Sequence, residues 1–100
     1  MSNGAAYIII KQNEYMRKFR NAGATDTMRA KSLADLGIKP GRIFQKLADK
    51  DIFLPGRAPE TYYMDVNAAE EFVEARRRRA FTMLLLVVIV AAVLFFLGRR

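Results

Sequence analysis

The side chains that commonly carry out catalysis are few in this sequence. Its 100 residues include no histidine and no cysteine, which removes the usual ligands of structural zinc and the usual Cys- or His-based catalysts. Glu70, Glu71 and Glu74 could be taken for a catalytic carboxylate cluster. Acidic side chains also complement the dipole in the first turns of a helix, and we favour that interpretation.

Nucleophilic and phosphate-binding motifs are also missing from the sequence. Ser2 and Ser32 have no histidine to activate them. Gly37 and Gly41 are not followed by the Gly-Lys-Ser/Thr of a phosphate-binding loop. We therefore expect a protein that is not an enzyme and that uses no cofactor and no metal.

The formal net charge of +7 is concentrated at one end of the chain. Residues 1–75 contain eleven basic and ten acidic side chains, so this part of the chain is nearly neutral. Because basic residues beside an apolar segment commonly set membrane topology and attract anionic headgroups, we assign both roles to the remaining ones. These residues are Arg76, Arg77, Arg78, Arg79, Arg99 and Arg100.

Residues 80–97 form an uninterrupted apolar segment without a charge, a glycine or a proline. As a helix they would span about 27 Å, close to the hydrocarbon thickness of a bilayer. Four arginines precede the segment and two follow it. Since the more basic flank tends to stay inside, we predict a tail-anchored, single-pass protein of the cell membrane with a cytoplasmic N-terminal head.

This organisation divides the chain into a small head and an anchor, which is what 100 residues can hold. The predicted parts are a flexible N-terminus (1–6), a soluble head (7–75), a basic juxtamembrane run (76–79), a transmembrane helix (80–97) and a short basic tail (98–100).

Three helices are predicted in the first half of the head. From Gln12 onward the apolar residues recur at helical spacing. N-cap candidates at residues 25–27 predict a second helix that ends at Gly37. Pro40 favours the first turn of a third helix, which should stop near Lys50.

The β-prone runs predict a hairpin after the third helix. Residues 51–54 and 61–65 would be its strands, separated by a Pro/Gly-rich turn at 55–60. An earlier β-prone run, Tyr7–Ile10, would be either an edge strand or the lead into the first helix.

The last predicted helix carries the chain into the membrane. Asn67 would be its N-cap, because Glu70 lies three residues on, as in a capping box. With no helix breaker in residues 67–97, we predict one continuous helix.

The order helix, helix, glycine-containing turn, helix, hairpin and helix resembles that of a winged-helix domain. The segment Ser32–Leu47 resembles a helix-turn-helix with Gly37 in the turn, and residues 52–65 would be the wing. The buried positions around the turn of this helix-turn-helix would be Leu36, Ile38 and Ile43. Small bacterial membrane proteins of uncharacterised role have a similar layout. The resemblance implies a mainly α fold with a small β-hairpin: a winged-helix-like head plus one transmembrane helix continuous with the last helix of the head.

The third helix and the wing form the predicted contact surface. Our first hypothesis is a non-enzymatic interaction module, an accessory or adaptor subunit that docks on a larger protein or membrane complex. The alternative is a membrane-tethered DNA-binding transcriptional regulator, because the third helix of a winged helix can enter the major groove. The near-neutral head favours the first hypothesis, since phosphate contacts supply most non-specific DNA affinity. The predicted contact residues are Arg42, Gln45, Lys46, Arg57, Tyr62 and Tyr63.

Overall fold

The computed structural model describes residues 3–99. The described chain is mainly helical, with a small three-stranded antiparallel sheet and a long apolar helix at its C-terminal end. It forms two compact units that divide between Ala69 and Glu70. In chain order the elements are α1 (Asn3–Asn21), a 3-10 helix (Thr27–Arg29), β1 (Lys31–Ser32), α2 (Leu33–Leu36), α3 (Arg42–Asp49), β2 (Phe53–Pro55), β3 (Thr61–Met64) and α4 (Val66–Gly98).

The first helix begins earlier than the helical pattern of the sequence indicates. α1 already includes Tyr7–Ile10, so this β-prone run is helical and forms no edge strand. The preference of isoleucine and tyrosine for strands depends on packing against neighbouring strands, and this run pairs with none of the described strands. Residues 1 and 2 of the predicted flexible N-terminus lie outside the described residues, whereas 3–6 form the start of α1.

The predicted second helix is wrong, because three short elements replace it. An oxygen of Asp26 accepts hydrogen bonds from the backbone N–H groups of Met28 (3.0 Å) and Arg29 (2.9 Å) and starts the 3-10 helix. The chain then extends into β1. Ser32 Oγ accepts from the N–H of Asp35 at 3.1 Å and starts the single turn of α2. Because Asp26 and Ser32 each cap a separate short element, the segment does not form the single helix that its pattern predicted.

A glycine turn links α2 to α3. Gly37 follows α2 with a φ of 69°, a left-handed conformation that glycine adopts without steric cost. Its N–H donates to the carbonyl of Ala34, which closes the end of α2. α3 then starts at Arg42 after the N-cap Gly41 and is followed by Lys50, close to the predicted end.

The predicted hairpin is present, and a third strand extends its sheet. β2 and β3 pair antiparallel with Leu54 opposite Tyr63, and β1 pairs with the other edge of β3, giving the order β1-β3-β2. Gly56 follows β2 at a crowded point. A Cβ atom there would overlap the Cβ of Ala30 and lie 2.7 Å from Thr61 Oγ1.

A stack of aromatic rings forms the centre of the head. The Phe53 ring of β2 lies between Phe19 of α1, at 4.4 Å between ring centroids, and Phe44 of α3, at 5.1 Å. Both pairs are nearly parallel, and all three side chains are buried. Because each ring comes from a different element, the stack fixes α1, α3 and the hairpin against one another.

The long helix is continuous, as predicted, but its N-cap differs. α4 runs from Val66 to Gly98, and Asp65 Oδ1 accepts the N–H of Ala68 at 3.2 Å. Asn67 is therefore not the N-cap. The N–H of Asp65 donates to the carbonyl of Ile52 at 2.9 Å, which ties the backbone just before α4 to the hairpin.

Candidate functional site

The exposed face of α3 carries the first three predicted contact residues. Phe44 and Leu47 bury the opposite face of this amphipathic helix in the core. Arg42 and Lys46 are exposed and lie one turn apart. Neither forms an ion pair within residues 3–99, so both charges are available to a partner.

Gln45 is also exposed, but its amide already has a partner. Its Nε2 donates to Asp49 Oδ1 at 2.9 Å, one turn further along α3. A partner that used either group would have to replace this hydrogen bond or extend it. Asp49 also places a negative charge on the same helix as the two cations, which lowers the net positive charge of α3.

The two tyrosines of β3 occupy different faces of the sheet, because consecutive strand residues alternate. The ring of Tyr62 packs edge-on against Phe44, with 5.1 Å between centroids, so its face of β3 points into the core. Tyr63 points to the opposite face and is paired across the hairpin with Leu54. Both side chains are half-buried. Tyr62 therefore extends the aromatic core, whereas Tyr63 lies on the other face of the sheet.

Arg57 lies in the turn between β2 and β3 and is exposed. It is separated from the α3 residues in sequence, and no hydrogen bond or ion pair among the described residues joins it to them. The structure thus brings Arg42, Gln45 and Lys46 together on α3 and leaves Arg57 at the tip of the hairpin.

The apolar part of α4 is exposed along its whole length. α4 is long and apolar enough to cross a membrane, and none of its most apolar eighteen-residue window is buried. An exposed surface of this size is unfavourable in water. α4 is therefore compatible with a single-pass transmembrane anchor.

Arginines flank this apolar stretch. Arg76 and Arg99 each lie 5.5 Å from the centre of an aromatic ring on α4, those of Phe72 and Phe95. Arg77, Arg78 and Arg79 are exposed on α4, and Arg100 lies outside the described residues.

A cleft of about 510 Å³ lies between α1 and the segment that links α2 to α3. Cations from both walls line it: Lys11 and Lys18 on α1, Lys39 in the segment that links α2 to α3, and Arg42 at the start of α3. Glu14 lies 3.5 Å from both Lys11 Nζ and Lys18 Nζ.

Sequence reasoning did not identify this cleft. The spacing of Lys11, Glu14 and Lys18 already places the three side chains near one face of a helix. Their approach to Lys39 and Arg42 depends on how α1 packs against α3, which local spacing does not specify.

Comparisons with protein-family models, with curated proteins and with solved structures give no match. Within the described part of the chain, no group of three or more His, Cys, Asp or Glu side chains could hold a metal ion.

Proposed function

We propose that this chain is a single-pass membrane protein whose winged-helix-like head is a non-enzymatic interaction module. The observation that carries the proposal is the contrast between the two compact units. The head buries an aromatic core, whereas no residue in the most apolar window of α4 is buried in the protein. A bilayer is the medium that would cover such a helix.

The proposed topology places the head in the cytoplasm and residues 80–97 in the cell membrane. Its support is the larger number of arginines on the head side of the apolar stretch. The chain contains no cysteine, so a single cysteine introduced at Lys31 is a unique label site in the head. In intact cells, a membrane-impermeant maleimide should leave this cysteine unlabelled until the cells are lysed. Labelling before lysis would overturn the proposed orientation.

The proposed docking surface is α3 together with the tip of the hairpin. Arg42 and Lys46 are exposed and unpaired within the described residues, and Arg57 adds a further exposed cation. Cations of this kind favour a partner surface with acidic side chains, which they would steer and orient. The partner would be a larger protein or a membrane complex that the head serves as an accessory or adaptor subunit.

Site-specific photo-crosslinking in cells tests this surface on the full chain. A photoreactive amino acid at Lys46 should give a discrete crosslinked product in the membrane fraction. The same residue at Arg20, which is exposed on α1 outside the proposed surface, is the matched control. Equal products from both positions, or none from position 46, would contradict the docking surface.

DNA binding is the second candidate, because Arg42 and Lys46 lie one turn apart on an exposed helix face that could contact a groove. Fluorescence anisotropy with random duplex DNA tests it on the full chain in neutral detergent. Gln substitution of Arg76, Arg77, Arg78, Arg79, Arg99 and Arg100 removes the basic residues on both flanks of the apolar stretch, so any remaining signal belongs to the head. Binding that falls steeply with salt and is lost on Arg42→Glu and Lys46→Glu would favour the regulator. An absence of binding at low salt would eliminate it.

A further inference from the structure

The cleft between α1 and the start of α3 has a built cationic wall. Lys18 Nζ donates to the carbonyl oxygen of Gly37 at 2.8 Å, so this side chain crosses from α1 to the α2–α3 turn. Glu14 holds both Lys11 and Lys18 through its two carboxylate oxygens. Lys18 is therefore held across the cleft by a contact with the turn, and Lys11 is paired with the same carboxylate.

The charges in the cleft do not balance. Four cations line it, and Glu14 is the carboxylate among the lining residues. Glu14 is already engaged by two of the cations. Lys39 and Arg42 have no ion pair within residues 3–99. Like charges that converge on one concave site repel one another and raise the local concentration of anions.

We propose that this cleft binds a phosphate-bearing anion. Lys39 and Arg42 would contact the phosphate oxygens directly, because a guanidinium and an ammonium both form charge-assisted hydrogen bonds with them. Lys11 and Lys18 contribute positive potential from the opposite wall. The volume of about 510 Å³ is sufficient for a small organic phosphate and falls in the range of small-molecule sites.

The ligand chemistry has two sources, which the experiment separates. One is the headgroup of an anionic lipid, because the chain carries a helix that could cross a membrane. The other is a soluble phosphate compound. Both present anionic phosphate oxygens to Lys39 and Arg42.

Isothermal titration calorimetry on the full chain in zwitterionic detergent tests the proposal. Pyrophosphate is the soluble probe, and dihexanoyl phosphatidic acid is the headgroup probe. Dihexanoyl phosphatidylcholine carries no net charge and is the reference for the lipid. We expect saturable binding of at least one of the two anionic probes, weakened by salt. Tighter binding of pyrophosphate assigns a soluble ligand, and tighter binding of the short-chain lipid assigns a headgroup.

A charge-matched pair of variants decides whether the cleft is the site. Lys39→Gln with Arg42→Gln should weaken binding on the order of tenfold or more, because two direct charged contacts are lost. Arg20→Gln with Lys31→Gln removes the same charge from exposed positions outside the cleft and should leave the affinity nearly unchanged. Equal weakening by both pairs, or no saturable binding of either anionic probe at low salt, would overturn the proposal.

Lys39 separates this site from the proposed docking surface. Lys39→Gln alone should weaken anion binding while crosslinking from position 46 persists. Anion binding that Lys39→Gln leaves unchanged would count against the cleft. A chain without this substitution that binds the anion but gives no crosslink from position 46 would instead count against the docking surface and leave the cleft assigned.

Discussion

Glu14 experiences two opposing influences on its proton affinity. Partial burial raises the pKa of its carboxyl group, but the nearby charges of Lys11 and Lys18 and their hydrogen bonds lower it. The lowering prevails, so the pKa lies below the ordinary glutamate value of 4.5. Because the folded-state pKa is depressed, the interactions of Glu14 with the two lysines stabilise the folded head above pH 4.5. This contribution to stability is lost as the pH falls through the folded-state pKa.

The first prediction concerns this carboxyl group. Lys11→Gln removes one of the two stabilising charges, so the pKa of Glu14 should rise toward 4.5. A pH titration of the Glu14 side-chain carboxyl carbon by NMR measures the change. Lys31→Gln is the control, because Lys31 is exposed on β1 and does not line the cleft. A wild-type pKa at or above 4.5 would contradict the ion-pair geometry.

At the scale of the element, the start of α4 gives the second prediction. Asp65→Ala should lower the free energy of unfolding of the head by about 1 kcal/mol, because it removes the N-cap acceptor of the Ala68 N–H. Asn67→Ala should change it by only a few tenths of that amount, since exposed surface substitutions usually have small effects. Amide hydrogen exchange at residues of β3 measures both. The reverse order of effects would restore Asn67 as the cap.

The elements that the sequence predicts well have strong local signals. A Pro/Gly turn between two β-prone runs predicts the hairpin, and a long segment without breakers predicts the continuity of α4. The errors arise where tertiary contacts select among local alternatives. The N-cap of α4 is Asp65 and not the predicted Asn67, because the backbone N–H of Asp65 is held by the carbonyl of Ile52. β1 forms only by pairing with β3. A strand of two residues has no sequence pattern from which this pairing could be predicted.

In the candidate site, too, local sequence signals predict some features and tertiary contacts decide the others. Helical periodicity places Arg42 and Lys46 on the exposed face of α3 once Phe44 and Leu47 are assigned to the core. Strand alternation separates Tyr62 from Tyr63 but does not say which one meets the core. The contact of Tyr62 with Phe44 decides that, and it depends on the packing of α3 against the sheet.

At the scale of the whole molecule, the ring stack gives the third prediction. Phe53 contacts rings from two helices and is almost fully buried. Phe53→Ala should lower the free energy of unfolding of the head by about 3–5 kcal/mol. That is a large share of the stability of a small domain. Hydrogen exchange at amides of the core strands should become much faster. Met28→Ala is the control, because Met28 is 73% exposed and should change exchange little.

The fourth prediction concerns the apolar stretch of α4. Val88 lies near the middle of residues 80–97, so Val88→Arg should oppose membrane insertion by about 2.5–3.5 kcal/mol. The wild-type chain and the control Val88→Leu should stay in the membrane pellet after alkaline carbonate extraction. The arginine variant should shift toward the soluble or aggregated fraction. Release of the wild-type chain by carbonate would contradict a transmembrane α4.

The crowding at Gly56 has an evolutionary consequence. A Cβ at position 56 would collide with the side chain of Ala30, the residue that precedes β1. It would also crowd the side chain of Thr61 at the start of β3. The three positions thus share one fixed volume. In a family of descendants of this sequence, Gly56 and Ala30 should covary: a larger residue at 56 would be found only where position 30 has shrunk to glycine and position 61 has become smaller.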